Sequence, residues 1–134
     1  MSARPLVSLM VALLSLGVVI AACGRTGAPA RAGKRMAFEA TAYSIEGTTA
    51  AGTRAREGIV AADPHLLPLG TRIRVHDAGR YSGDYVVRDT GRTIKGREID
   101  VYLANDREAK RFGRKSVQVE VLEYGDGRRV GTRD

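Results

Sequence analysis

The chain has 134 residues, enough for one domain, and its 22 Lys and Arg against 15 Asp and Glu leave a net charge of +7. That balance favours anionic partners: nucleic acid, lipid headgroups or the acidic polymers of a cell wall. Tryptophan is absent, which excludes a carbohydrate groove built on tryptophan platforms, and a single cysteine excludes an internal disulfide.

Residues 1–22, MSARPLVSLMVALLSLGVVIAA, carry an early Arg4, an apolar run from Leu6 to Ala22 broken by two serines, and small residues at the end. This is the layout of a signal peptide, and the apolar part falls short of the ~20 residues that span a bilayer comfortably. A signal-anchor helix is the competing reading. Ile20-Ala21-Ala22-Cys23 resembles the lipobox of bacterial lipoproteins, in which the cysteine is lipidated and becomes the new N-terminus. Cys23 is therefore the expected lipidation site, with several acyl chains giving stable anchorage. An exported, tethered protein loses nucleic acid as a partner despite its charge. Gly24 stands where an inner-membrane retention signal would place Asp, which by analogy points to the periplasmic side of an outer membrane. Residues 23–35 then read as lipidated cysteine plus flexible basic tether.

The sequence predicts strands over Met36–Ser44, Gly58–Ala62, Thr71–His76, Asp84–Asp89, Glu98–Leu103 and Ser116–Tyr124, each alternating at the two-residue period or ending at turn residues. Asp77–Asp84, with two glycines, closes a hairpin. Asn105, three residues before Glu108, caps a short helix running to Phe112 and stopped by Gly113. Residues 36–125 form the expected domain and 126–134 a frayed polar tail. Six short strands, one or two short helices and many glycines describe a mostly-β barrel or sandwich.

The stretch Asp84–Leu103 holds the chemistry. Ile99, Val101 and Leu103 face the core, so Asp100 projects from the other face, while Asp89 shares a face with Tyr85 and Val87. The two carboxylates lie at the two mouths of a glycine-rich loop containing Thr90, Gly91, Thr93, Lys95 and Gly96. Asp63, Asp89 and Asp100 each also read as ordinary turn or strand-surface residues when taken alone. His65 and His76 have no cysteine partners, and the aspartates lack the spacing of a calcium loop, so neither a metal nor another cofactor is expected.

Thr41-Ala42-Tyr43, Ala51-Gly52-Thr53, Gly58 to Pro64, Leu67 to Thr71, Asp89-Thr90-Gly91 with Ile94-Lys95-Gly96, and Ile99-Asp100-Val101-Tyr102 occur in one order that resembles the three-aspartate (3D) domain family. That family is related to the catalytic barrel of the membrane-bound lytic transglycosylase A family. The resemblance implies a six-stranded double-psi β-barrel and cleavage of peptidoglycan glycan strands between N-acetylmuramic acid and N-acetylglucosamine, leaving an anhydro sugar. Carried over by position, Asp100 is the catalytic acid, supported by Asp89 and Asp63. Thr41, Tyr43, Thr90, Gly91 and Lys95 are candidate substrate contacts, although Lys95 reads equally well as a solvated loop charge. Arg92-Thr93 and Glu98 depart from the family pattern and add bulk and charge around the loop. A wall-binding lipoprotein without catalysis, using the same groove, is the alternative.

Overall fold

A computed structural model describes residues 33–130. The expected signal peptide, Cys23 and all but the end of the expected tether lie outside the described residues, as do 131–134. Among the described residues no helix is long and apolar enough to cross a membrane.

Six strands close into a barrel: β1 (Arg35–Tyr43), β2 (Ile59–Ala62), β3 (Arg72–His76), β4 (Gly83–Asp89), β5 (Glu98–Tyr102) and β6 (Lys115–Glu123). Around the barrel they run β1-β5-β2-β4-β3-β6, and β6 returns to β1. The β1/β5 and β2/β4 pairs are parallel and the other four antiparallel, so the chain crosses over itself twice, as expected of a double-psi barrel. Closure leaves no free sheet edge.

Alternation builds the interior. Val60, Val87 and Val101, from three adjacent strands, are fully buried, and Ile73, Val75, Val117 and Val119 complete the packing from the opposite wall. A short 3-10 turn at Gly79–Tyr81 sits inside the β3–β4 connection. Helix α1 (Asp106–Phe112) starts where Asn105 accepts the Glu108 N–H, a cap worth ~1 kcal/mol, and buries Ala109 and Phe112.

Both ends of the domain are tied down further than the sequence predicts. The Gly33 N–H donates to the Glu120 carboxylate at 2.8 Å and Arg35 already belongs to β1, so the barrel begins inside the expected tether. Beyond β6, Gly127 N–H bonds to Leu69 O and Val130 N–H to Ala51 O, so this part of the polar tail is strapped to the surface. Isolated polar residues gave no sequence signal for backbone bonds of this kind.

Candidate functional site

The sequence treats β4 and β5 as neighbours across one loop, whereas the barrel inserts β2 between them. Ala61 of β2 pairs with Asp100 on one side and with Asp89 on the other. Thr41 of β1 pairs with Asp100 from the far side. One row across four strands therefore reads Thr41, Asp100, Ala61, Asp89. The two aspartates are two strand spacings apart at the backbone, about 9–10 Å.

A bulge makes this row possible. The β2/β4 register jumps between Val60, which pairs with Val87, and Ala61, which pairs with Asp89, so Arg88 is skipped. A bulged residue moves everything after it to the other face of the strand. Asp89 thereby leaves the face of Tyr85 and the buried Val87, where strict alternation had put it, and joins Ala61 and Asp100. The skipped Arg88 carbonyl accepts the N–H of Ala51 at 2.8 Å.

Asp100 is half-buried in β5 and accepts the Thr41 hydroxyl on Oδ1 at 3.0 Å. Among the described residues its Oδ2 has no hydrogen-bond partner. Burial pushes its carboxyl above the usual range, the Thr41 hydrogen bond pulls it back, and the negative charge of Asp89 adds to the rise. Asp89 is held from three sides: Oδ1 accepts the N–H groups of Ala50 (3.0 Å) and Thr90 (2.9 Å), and Oδ2 accepts the Tyr43 hydroxyl (3.3 Å). Burial and then Asp89 push the Tyr43 phenol far up, which keeps it a hydrogen-bond donor. Tyr43 also packs edge-on against Tyr102, with ring centroids 5.4 Å apart.

Asp100 stands on a saddle between two clefts. The first, about 270 Å3, has Ala61 as floor, Asp89 and Asp100 on either side, and Tyr43, Thr90 and Gly91 in its walls. Its remaining wall comes from Ile45, Glu46, Gly47, Thr48, Thr49 and Ala55, a loop whose place beside the acids no local pattern encodes. Ile45 in that wall is 78% exposed, an aliphatic surface offered to solvent beside the acids. The second cleft, about 220 Å3, is lined by Glu39, Thr41, Thr93, Ile94, Glu98 and Arg114, with Asp100 again at its edge. Glu98 and Thr93, two of the departures from the family pattern, thus border the acid, and Arg114 forms an ion pair with Glu39.

Asp63 is elsewhere. It is buried and borders neither cleft, with Oδ2 accepting the Gly96 N–H at 2.8 Å and Oδ1 the backbone N–H and ring of His65. The Gly96 N–H, then the His65 contacts, pull its carboxyl down to about 2. It clamps the 90–96 loop against the β2 exit. Lys95 is exposed and borders neither cleft. His76 pairs with buried Glu120 at 2.9 Å, and no group of three metal-ligating side chains occurs among the described residues.

Residues 58–123 match the family described as the 3D domain. This chain carries a 3D domain. It is 35% identical over 100 residues to the cell wall-binding protein YocH of Bacillus subtilis, covering 68% of this chain and 33% of that one. It is 34% identical over 99 residues to YabE of the same organism, named for cell wall shaping, covering 67% and 23%. The chain thus spans a third or less of the length of these relatives. Among solved structures, the 3D domain shares its fold with a Streptomyces papain inhibitor, at TM-score 0.55 and 20% identity over 69% of this chain and 98% of the other. It also shares it with the E. coli lytic transglycosylase MltA, at TM-score 0.50 and 21% identity over 60% and 28%. One fold that serves both an inhibitor and a transglycosylase leaves function to be argued from the site.

Proposed function

We propose that this is an exported envelope protein, anchored through Cys23, whose 3D domain cleaves peptidoglycan glycan strands as a lytic transglycosylase with Asp100 as its only acid and base. The observation that carries the reading is the state of Asp100: half-buried, raised, bound by Thr41 on one oxygen and open on the other at the junction of two clefts.

A glycosidase of the ordinary kind needs a second carboxylate to supply a water or a nucleophile. A muramic acid residue can supply its own. Asp100 gives its proton to the glycosidic oxygen as the bond from C1 to that oxygen breaks, and the leaving sugar departs with a free hydroxyl. The C6 hydroxyl then closes on C1, and its proton returns to the Asp100 carboxylate, which restores the starting acid. For this cycle the donor must be protonated before the reaction, and the burial of Asp100 together with the charge of Asp89 works in that direction. Asp89 acts as a fixed charge that also orders the 44–57 loop through Ala50. Asp63 acts one step back, positioning the loop that carries Thr90 and Gly91.

The 35% identity to YocH, a cell wall-binding protein, favours a second reading, wall binding without cleavage. The two separate on a product. Incubated with purified peptidoglycan, the chain should release anhydro-muropeptides detectable by mass spectrometry, and Asp100→Asn should lower that release by ~10²–10⁴-fold, the scale of losing general acid–base catalysis. Retention on peptidoglycan with no anhydro product from the unsubstituted chain establishes the binding reading instead.

A further inference from the structure

Helix α1 carries more positive charge than its neighbours neutralise. Its two acidic residues are occupied: Asp106 pairs with Lys110 at 2.7 Å and accepts the Ser44 hydroxyl, and Glu108 receives both Arg80, at 2.7 Å, and the Tyr81 hydroxyl, at 2.9 Å. Arg107 and Arg111 have no acidic partner among the described residues and are exposed. They stand four positions apart, on one side of the helix, where like charges repel and cost helix stability. Both border a hollow of about 300 Å3, whose rim Arg80 and Asn105 complete and where Glu108 is the one acid.

Three arginines from two elements therefore border one space, and the single carboxylate that lines it is already paired with Arg80. Arg80 is fixed there by its stacking over the Tyr81 ring, 4.8 Å from the centroid, and by one nitrogen shared between Glu108 and the Tyr81 hydroxyl, and its other N–H groups have no partner among the described residues. Guanidinium forks are matched to oxyanions. A carboxylate offers two oxygens in one plane and is served by a single fork. Three arginines around one hollow offer more N–H donors than one carboxylate accepts, and suit a group with three or more acceptor oxygens.

We infer that the hollow between Arg80, Arg107 and Arg111 is a phosphate-binding site, separate from the Asp100 clefts. The chemistry is common to a phosphodiester wall polymer and to an anionic lipid headgroup. The inference does not depend on what Asp100 does, since none of these residues borders its clefts.

The test is titration of the full chain with inorganic phosphate, followed by the arginine side-chain N–H resonances, with sodium chloride at matched ionic strength as control. Phosphate should move the Arg80, Arg107 and Arg111 signals along one saturating curve, and the double variant R107Q/R111Q should bind at least tenfold more weakly, whereas K115Q should bind unchanged. The same pair of proteins is then compared on a glycerol-phosphate oligomer and on phosphatidylglycerol vesicles. A loss in the double variant on the oligomer assigns the polymer, and a loss on vesicles assigns the lipid. Identical shifts with chloride, or equal phosphate affinity in R107Q/R111Q shown to be folded by its melting transition, overturn the inference.

Discussion

Asp100 and Asp63 pull the pH dependence of folding in opposite directions. Asp100 has a raised carboxyl in the folded chain, chiefly through burial, so the folded state holds its proton more tightly than the unfolded one. Stability from such a group is full below the ordinary value of 3.8 and falls as pH rises through the folded-state value. An uncharged amide of the same shape escapes that loss. Asp100→Asn should therefore melt higher than the unsubstituted chain near neutrality and at the same temperature near pH 3, as followed by circular dichroism. This is the stability–activity exchange expected of a residue held in place for chemistry. A variant that melts lower at pH 7 would mean that the carboxylate is an asset to the fold, and the general-acid argument would lose its physical basis.

At the scale of elements, the loop from Thr90 to Gly96 joins the two clefts through one contact. A Cβ added at Gly91 would come within 2.6 Å of Ile94 Cγ1 and 3.3 Å of its Cβ. Gly91 lines the first cleft and Ile94, which is buried, the second, so moving one moves both walls. Gly91→Ala should cost about 1–3 kcal/mol of stability, the range for overpacking, and reduce product release while Asp100 stays in place. Chemical denaturation and the anhydro-muropeptide assay check the two parts separately. Period and turn chemistry made all six strands and the capped helix legible, because each strand alternates or ends at glycine, proline or aspartate. The same logic puts Asp100, on a regular strand, on its correct face. It fails for Asp89, because the Arg88 bulge depends on pairing with β2, a contact between distant parts of the chain that no local pattern encodes. The insertion of β2 between β4 and β5, and the return of residues 45–49 over the acids, are hidden for the same reason. Motif resemblance brought the three aspartates together as a set, but only the registers separate the two at the cleft from Asp63 behind it.

For the molecule as a whole, acid should be the weak side, for two reasons that salt can tell apart. The chain is already at +7, and each carboxylate protonated leaves its 22 Lys and Arg less compensated, so self-repulsion grows as pH falls. Added salt shortens the reach of that repulsion, to about 3 Å at 1 M. The second reason is local. Asp63, with its carboxyl drawn down to about 2 by Gly96 and His65, stabilises the fold fully above 3.8, and that contribution is lost as pH falls from there through about 2. Asp84, Asp106 and Glu120, lowered chiefly by Arg74, Lys110 and His76 respectively, lose theirs in the same sense. The Asp63 bonds to Gly96 and His65 are short and shielded at a buried position, so salt does not replace them once the carboxylate is protonated. Melting temperature measured from pH 6 to pH 2 should fall steeply below pH 4, and 0.5 M sodium chloride should restore part of the loss. Asp63→Asn should melt lower than the unsubstituted chain at pH 6, and the two curves should converge toward pH 2 at either salt concentration. Parallel curves across the whole range would show that the loop is not held by the charge at residue 63, and the assignment of that aspartate as the clamp behind the site would fail.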